Sequence, residues 1–161
     1  MELSDVHKTL NLLKSGKYNH LIENEERYLG KKLSRLKIGG LKEFLYVKES
    51  IQKDLTELSK DYLVSEWISL LMYKPGDYFG IHTDGYSYSS DNYDTILSGG
   101  YLLNDDHIGG KFIIEGKHNI TEIGELFTFD RFTKHEITPV EKGIRYSLHF
   151  AVNTLKTNTT I

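Results

Sequence analysis

The chain predicts an α+β fold that is mainly β, with helices first and a β-sandwich or barrel after them. Apolar residues recur at three- and four-residue steps ahead of residue 62. From residue 66 onward, period-two and short β-rich runs take over. Gly, Asn and Asp bound those runs, as turns between successive strands require. At 161 residues, the chain is expected to be a single domain over 1–161: helical support at 1–65, a β core at 66–152 and a tail at 153–161.

Taken in order, Ser4 is placed to cap a helix from about Asp5 to Lys14, ended by Gly16. Residues 19–29 are expected to form a second short helix stopped by Gly30, with Glu23, Glu25, Glu26 and Arg27 solvated. Gly39-Gly40 breaks the chain. The clearest helix then spans roughly 41–61, where Leu41, Phe44, Leu45, Ile51, Leu55, Leu58 and Tyr62 form a core stripe against the outside of a sheet. Strands are expected near 66–73, 78–84, 94–103, 110–115, 117–121, 125–130, 135–140 and 143–152.

Composition narrows the function classes. A net charge of −3 without a Lys/Arg cluster argues against a dedicated nucleic-acid binder. The absence of cysteine excludes disulfides, thiol chemistry and thiolate metal sites. No apolar run reaches membrane-spanning length, and the N-terminus lacks the apolar core of a signal peptide, so a cytoplasmic location is expected. Asn119-Ile-Thr and Asn158-Thr-Thr match glycosylation acceptors, read as chance without an export signal.

Chemistry concentrates at residues 73–85, Tyr-Lys-Pro-Gly-Asp-Tyr-Phe-Gly-Ile-His-Thr-Asp-Gly. His82 and Asp84 are two apart, so an extended strand turns both to one face. Imidazole and carboxylate suit a divalent iron, and His135 is the best candidate for a third ligand; His149 is a rival. Lys74-Pro75-Gly76-Asp77 reads as a type II turn that folds the Tyr73 strand back toward the His82 strand. A three-residue loop, Glu141-Lys142-Gly143, predicts a hairpin pairing His135 with His149, Ile137 with Ser147 and Pro139 with Arg145. That register turns His135, Arg145, Ser147 and His149 inward together. An inward arginine needs an anion: either a ligand carboxylate, with Ser147 assisting, or a core acid such as Asp130. The Tyr-rich segment 85–93 reads equally as a lid or an ordinary loop. His7, His20, His107 and His118 read as surface residues.

These residues together resemble the Fe(II)/2-oxoglutarate-dependent oxygenase superfamily, and most of all its prolyl 4-hydroxylase branch. The resemblance covers roughly residues 66–152. It rests on Tyr73-x-Pro75-Gly76-x-Tyr78, His82-x-Asp84, Tyr101-Leu102-Leu103-Asn104-Asp105, Gly109-Gly110, His135 and Arg145-x-Ser147. It implies a double-stranded β-helix, a jelly-roll or cupin-like barrel, with the N-terminal helices packed outside. It implies Fe(II) held by His82, Asp84 and His135, and 2-oxoglutarate bound by Arg145 with Tyr73 and Ser147. It implies a dioxygenase that releases succinate and CO2 while hydroxylating a protein or peptide side chain, prolyl residues included, with ascorbate keeping the iron ferrous. A nucleic acid or small metabolite is the alternative substrate, and a non-catalytic binding barrel the alternative role. Collagen-type members commonly carry Lys where Arg145 stands, and oxygen-sensing members a Tyr where Leu102 stands. Oligomeric state is not legible.

Overall fold

The computed structural model describes residues 1–27, 30–85, 90 and 92–157. Helix α1 (Leu3–Lys14) buries Val6, Thr9 and Leu13. Its N-cap position is Glu2, without a side-chain cap, so Ser4 lies inside the first turn rather than ahead of it. Helix α2 (Leu45–Leu58) follows a 3-10 turn, Lys42–Phe44, and sets Val47, Ile51 and Leu55 in the core at 0% exposure. The tighter 3-10 turn ends the expected stripe's phase: Phe44 is buried, but Leu45 and Leu58 are 55% and 58% exposed.

The expected helix over 19–29 is a correction. Only a 3-10 turn, Asn19–Leu21, forms; strand β1 (Glu23–Arg27) then pairs antiparallel with β2 (Lys31–Lys37). Opposite charges facing across the hairpin account for this. Glu25 accepts from Lys31 Nζ and from Arg35 Nε, both at 2.9 Å, partners that a solitary polar helix lacks. Strand β2 escapes sequence reading because both of its faces are covered: Leu33 belongs to the barrel interior and Leu36 to the helix-facing core.

The remaining strands are β3 (Leu63–Tyr73), β4 (Tyr78–His82), β5 (Tyr93–Leu102), β6 (Ile108–Gly109), β7 (Phe112–Ile114), β8 (Lys117–His118), β9 (Phe127–Asp130), β10 (His135–Ile137), β11 (Val140–Lys142) and β12 (Arg145–Leu155). They run β8-β7-β10-β4-β2-β3-β12-β5-β9, with β1 beside β2 and a separate β11-β6 pair. This antiparallel sheet curls until its far ends meet: Phe112 on β7 lies 5.0 Å from Phe127 and 5.7 Å from Phe129, both on β9. The result is the double-stranded β-helix, with the helices outside it. Strand β12 carries the sheet past residue 152, and residues 158–161 of the expected tail lie outside the described residues.

Two connections differ from expectation. Lys74–Asp77 is a turn of the expected kind, with Gly76 at φ +91° and Asp77 N–H donating to Lys74 O at 2.8 Å. It does not fold β3 back on β4. Strand β2 pairs Lys32 with Tyr78 and Ser34 with Met72, so β3 and β4 run on in one direction and the turn is an excursion between them. The expected His135–His149 hairpin is the second correction. Pro139, lacking an N–H, splits the 135–140 segment; β10 pairs with β4 and β7, β11 with β6. Gly143 takes the expected left-handed φ of +75°, but β12 then crosses to the opposing sheet, between β3 and β5. Its register is Arg145 with Tyr73, Ser147 with Leu71 and His149 with Ser69.

On β12, Leu148, Phe150 and Val152 face the helices, while Arg145, Ser147 and His149 face the barrel interior. Ile51→Ala, in the helix-facing core, is expected to lower unfolding stability by about 2–5 kcal/mol. Urea denaturation measures it; a loss under 1 kcal/mol (about the scale of a surface change) would place α2 off the barrel.

Candidate active site

The end of β4 and the start of β10 bring the first histidines together. His135 pairs with His82 across these strands, and their rings lie 4.2 Å apart. Asp84 sits just past the strand end, and its Oδ1 is 3.4 Å from Nε2 of both histidines. The three ligand atoms lie within 4.8 Å of one another. Donor atoms about 2.1 Å from an ion and at right angles to each other stand about 3 Å apart, so this spacing suits one ion at a shared facial site.

The tautomers also suit a metal. His82 Nδ1–H donates to Gly80 O at 2.6 Å, and His135 Nδ1–H donates to Thr133 O at 2.9 Å. A carbonyl can only accept, so each Nδ1 carries the proton and each Nε2 offers its lone pair toward Asp84. Rings hold both imidazoles: Phe79 stacks on His82 at 3.7 Å, and Phe129 lies 4.6 Å from His135. Burial alone pushes the Asp84 carboxyl upward, but its contacts with His135, His149 and His82 outweigh it and hold the group well below the usual carboxylate range; with His82 and His135 protonated on Nδ1, the imidazole that donates to it is His149. Asp84 is therefore an anion at any physiological pH.

His149 is not placed as a third ligand on the shared side. Its Nε2 lies 3.3 Å from Asp84 Oδ2, the oxygen turned away from His82 and His135. Ser98 Oγ–H donates to the same oxygen at 2.7 Å. Nothing in the sequence pattern singled out Ser98; the signal that finds it is register. Ser98 lies two residues from Gly100, which pairs with His149, so both side chains share the inner face.

The same cavity, of about 430 Å³, runs inward from these groups to Arg145, Ser147 and Tyr73. Arg145 is 4% exposed, and its Nη1–H donates to Ser147 Oγ at 2.9 Å. No carboxylate forms an ion pair with it among the described residues. Asp130, the core acid weighed for that role, is exposed and instead accepts from Phe132 N–H. Burial pulls the guanidinium below its ordinary value, with the Tyr73 ring opposing. The Tyr73 hydroxyl is buried without a hydrogen-bond partner among the described residues, and burial pushes it up to about 12, so it stays a protonated donor. Gly110 explains the Gly109-Gly110 signal. Its φ is +61°, and a Cβ there would come within 3.0 Å of Arg145 Cδ and 2.8 Å of Val140 Cγ2.

Leu102, paired with Ser147, adds no hydroxyl to this pocket. Of the expected lid, Tyr86–Ser89 and Asp91 lie outside the described residues; Gly85 packs under the ring of Phe132. His107 is not a plain surface residue, since its Nε2 is buried. No helix among the described residues is long and apolar enough to cross a membrane.

No family model matches the chain, and no curated protein matches it. Solved structures do. A Pseudomonas putida prolyl-4-hydroxylase aligns with a TM-score of 0.70 at 16% identity, covering 96% of this chain and 88% of that one. A viral collagen prolyl hydroxylase from Paramecium Bursaria Chlorella virus-1, a 2OG complex, gives 0.65 at 15%, covering 97% and 92%. A Trichoplax adhaerens prolyl hydroxylase, in complex with a hypoxia inducible factor oxygen degradation domain peptide fragment, gives 0.63 at 20%, covering 93% and 77%. At these identities the likeness establishes the shared architecture: this chain has the double-stranded β-helix on which those prolyl hydroxylases are built.

Because the Tyr73 hydroxyl has no partner, Tyr73→Phe is expected to leave the ligand-free protein as stable as before, or up to about 1 kcal/mol more stable. Chemical denaturation reads this directly. A loss above that size would mean the hydroxyl is already bonded in the free protein.

Proposed function

We propose that the protein is an Fe(II)- and 2-oxoglutarate-dependent dioxygenase that hydroxylates a protein or peptide side chain, prolyl residues included. One observation carries this: a cavity with a His-Asp-His set at one end and, at the other, a buried guanidinium beside a buried hydroxyl, neither met by a carboxylate among the described residues. A short dicarboxylic acid fits both ends, since it can chelate an ion with one terminus and pair with Arg145 through the other.

In this reading, His82 Nε2, Asp84 Oδ1 and His135 Nε2 would hold Fe(II). Iron and 2-oxoglutarate, when bound, would supply the oxidising chemistry that turns dioxygen and 2-oxoglutarate into succinate, CO2 and a hydroxylated substrate. The chain's residues orient and enclose. Arg145 and the protonated Tyr73 bind the distal carboxylate, and Ser147 holds the guanidinium in place. Phe112, Phe127 and Phe129 wall the cavity and keep water from the inner end.

The peptide reading draws on the prolyl hydroxylase likeness, one member of which holds a peptide fragment. At the mouth, Lys31 and Arg35 are tied to Glu25, leaving Arg27 as the rim cation without an ion pair among the described residues. That rim offers little to a phosphate backbone. Ascorbate dependence and a cytoplasmic location rest on the sequence reading alone.

Succinate release tests the activity. Anaerobically reconstituted protein, exposed to oxygen with 2-oxoglutarate and a proline-containing peptide library, is expected to release succinate and to add one oxygen atom to a peptide, read by mass spectrometry. Arg145→Gln is expected to raise the half-saturating 2-oxoglutarate concentration by about 10- to 100-fold, as loss of a charge-assisted pair predicts. Iron-dependent succinate formation without any 2-oxoglutarate requirement, or none at all with iron bound, would refute the assignment.

A further inference from the structure

The two oxygens of Asp84 are treated differently. Oδ1 faces Nε2 of His82 and His135. Oδ2 accepts from Ser98 Oγ at 2.7 Å and meets His149 Nε2 at 3.3 Å. Both partners come from strands, not loops. Ser98 is on β5 at 3% exposure, and His149 is on β12, with its backbone paired on both sides. Asp84 itself is on neither. It lies in the short irregular stretch after β4, next to the Tyr-rich segment, so its own backbone contributes no ladder to fix it.

A carboxylate in such a position can chelate an ion with both oxygens, or rotate and swap one for the other. Occupying Oδ2 with two donors removes both options, because a lone pair spent on a hydrogen bond is not available to a cation. From this geometry we infer that Ser98 and His149 are positioning residues. They clamp Asp84 from the main sheet so that it presents Oδ1 alone to the metal. The inference rests on the metal reading above.

This assigns His149 a definite protonation pattern. Ser98 donates, and Oδ2 of an ionised carboxylate only accepts, so His149 carries its proton on Nε2. That is the opposite of His82 and His135, whose Nδ1–H groups are engaged and whose Nε2 lone pairs are free. The three histidines around one carboxylate therefore divide into two ligands and one clamp. The clamp also sets the open coordination positions: a one-oxygen carboxylate leaves one more place on the ion than a two-oxygen carboxylate does, and a chelating co-substrate plus dioxygen need all of the remaining places.

Anaerobic Co(II) titration of the full chain tests this, with the visible absorption of bound Co(II) reporting both affinity and coordination. Ser98→Ala and His149→Leu are each expected to weaken Co(II) binding about 10- to 100-fold and to change the band shape. Ser98→Thr and His149→Gln, which keep a donor for Oδ2, are expected to restore most of the affinity and the wild-type spectrum. Thermal unfolding of the metal-free variants checks that each is folded, and the His149 pair decides the matter should a Ser98 variant fail. Wild-type binding with unchanged affinity and spectrum in Ser98→Ala and His149→Leu would overturn the clamp and leave the metal reading intact. Weakening that Thr and Gln do not rescue would also overturn it, since the effect would then be packing. Failure of the wild type to bind Co(II) would remove the metal reading, and the clamp with it.

Discussion

A guanidinium buried without a carboxylate costs several kcal/mol, and the whole interior is arranged around that charge. Arg145 reaches its position because β12 runs between β3 and β5, with its odd residues turned into the barrel. Gly110 leaves room for its stem, and Ser147 Oγ accepts a hydrogen bond from its Nη1–H. Nothing else in the described chain answers it. A purely structural arginine would have an acid beside it; here Asp130 is exposed, Glu25 is engaged on the hairpin rim, and the buried Asp77 accepts from Lys74 N–H. The uncompensated charge is thus the feature that an anionic ligand would relieve, and the partnerless Tyr73 hydroxyl beside it is a second.

The His-Asp-His end is the complementary case, in which an anion sits among imidazoles. Ser98 and three histidines surround the Asp84 carboxylate, and Ser98 Oγ–H and His149 Nε2–H donate to its Oδ2. Backbone carbonyls at Gly80 and Thr133 choose the tautomer of His82 and His135. These carbonyls belong to the same short strands and turns that carry the rings. Local backbone geometry, rather than a remote network, therefore prepares the donors.

Much of this was legible in the residues, and the failures have physical causes. His82-x-Asp84 converges because period two survives one step beyond the strand end. The inward set of Arg145, Ser147 and His149 is as expected, although the argument for it was wrong. A hairpin between β12 and the segment before it does not form, because Pro139 ends that segment and β12 crosses to the other sheet. Alternation within β12 alone was sufficient, because parity does not depend on which strand is the partner. Strands β1 and β2 were illegible for opposite reasons: one is almost wholly polar, and the other is buried on both faces. Ser98 was invisible because its role comes from a neighbour reached only through the fold.

If one cavity takes a metal ion and a dicarboxylic acid together, each completes the site of the other and their binding is coupled. Calorimetric titration of 2-oxoglutarate into anaerobic protein, with and without Mn(II) as a redox-silent stand-in for iron, measures that coupling. The account predicts that Mn(II) tightens 2-oxoglutarate binding by about 5- to 150-fold, the usual span of coupled sites, and that 2-oxoglutarate tightens Mn(II) by the same factor. Equal 2-oxoglutarate affinity with and without bound Mn(II) would contradict it.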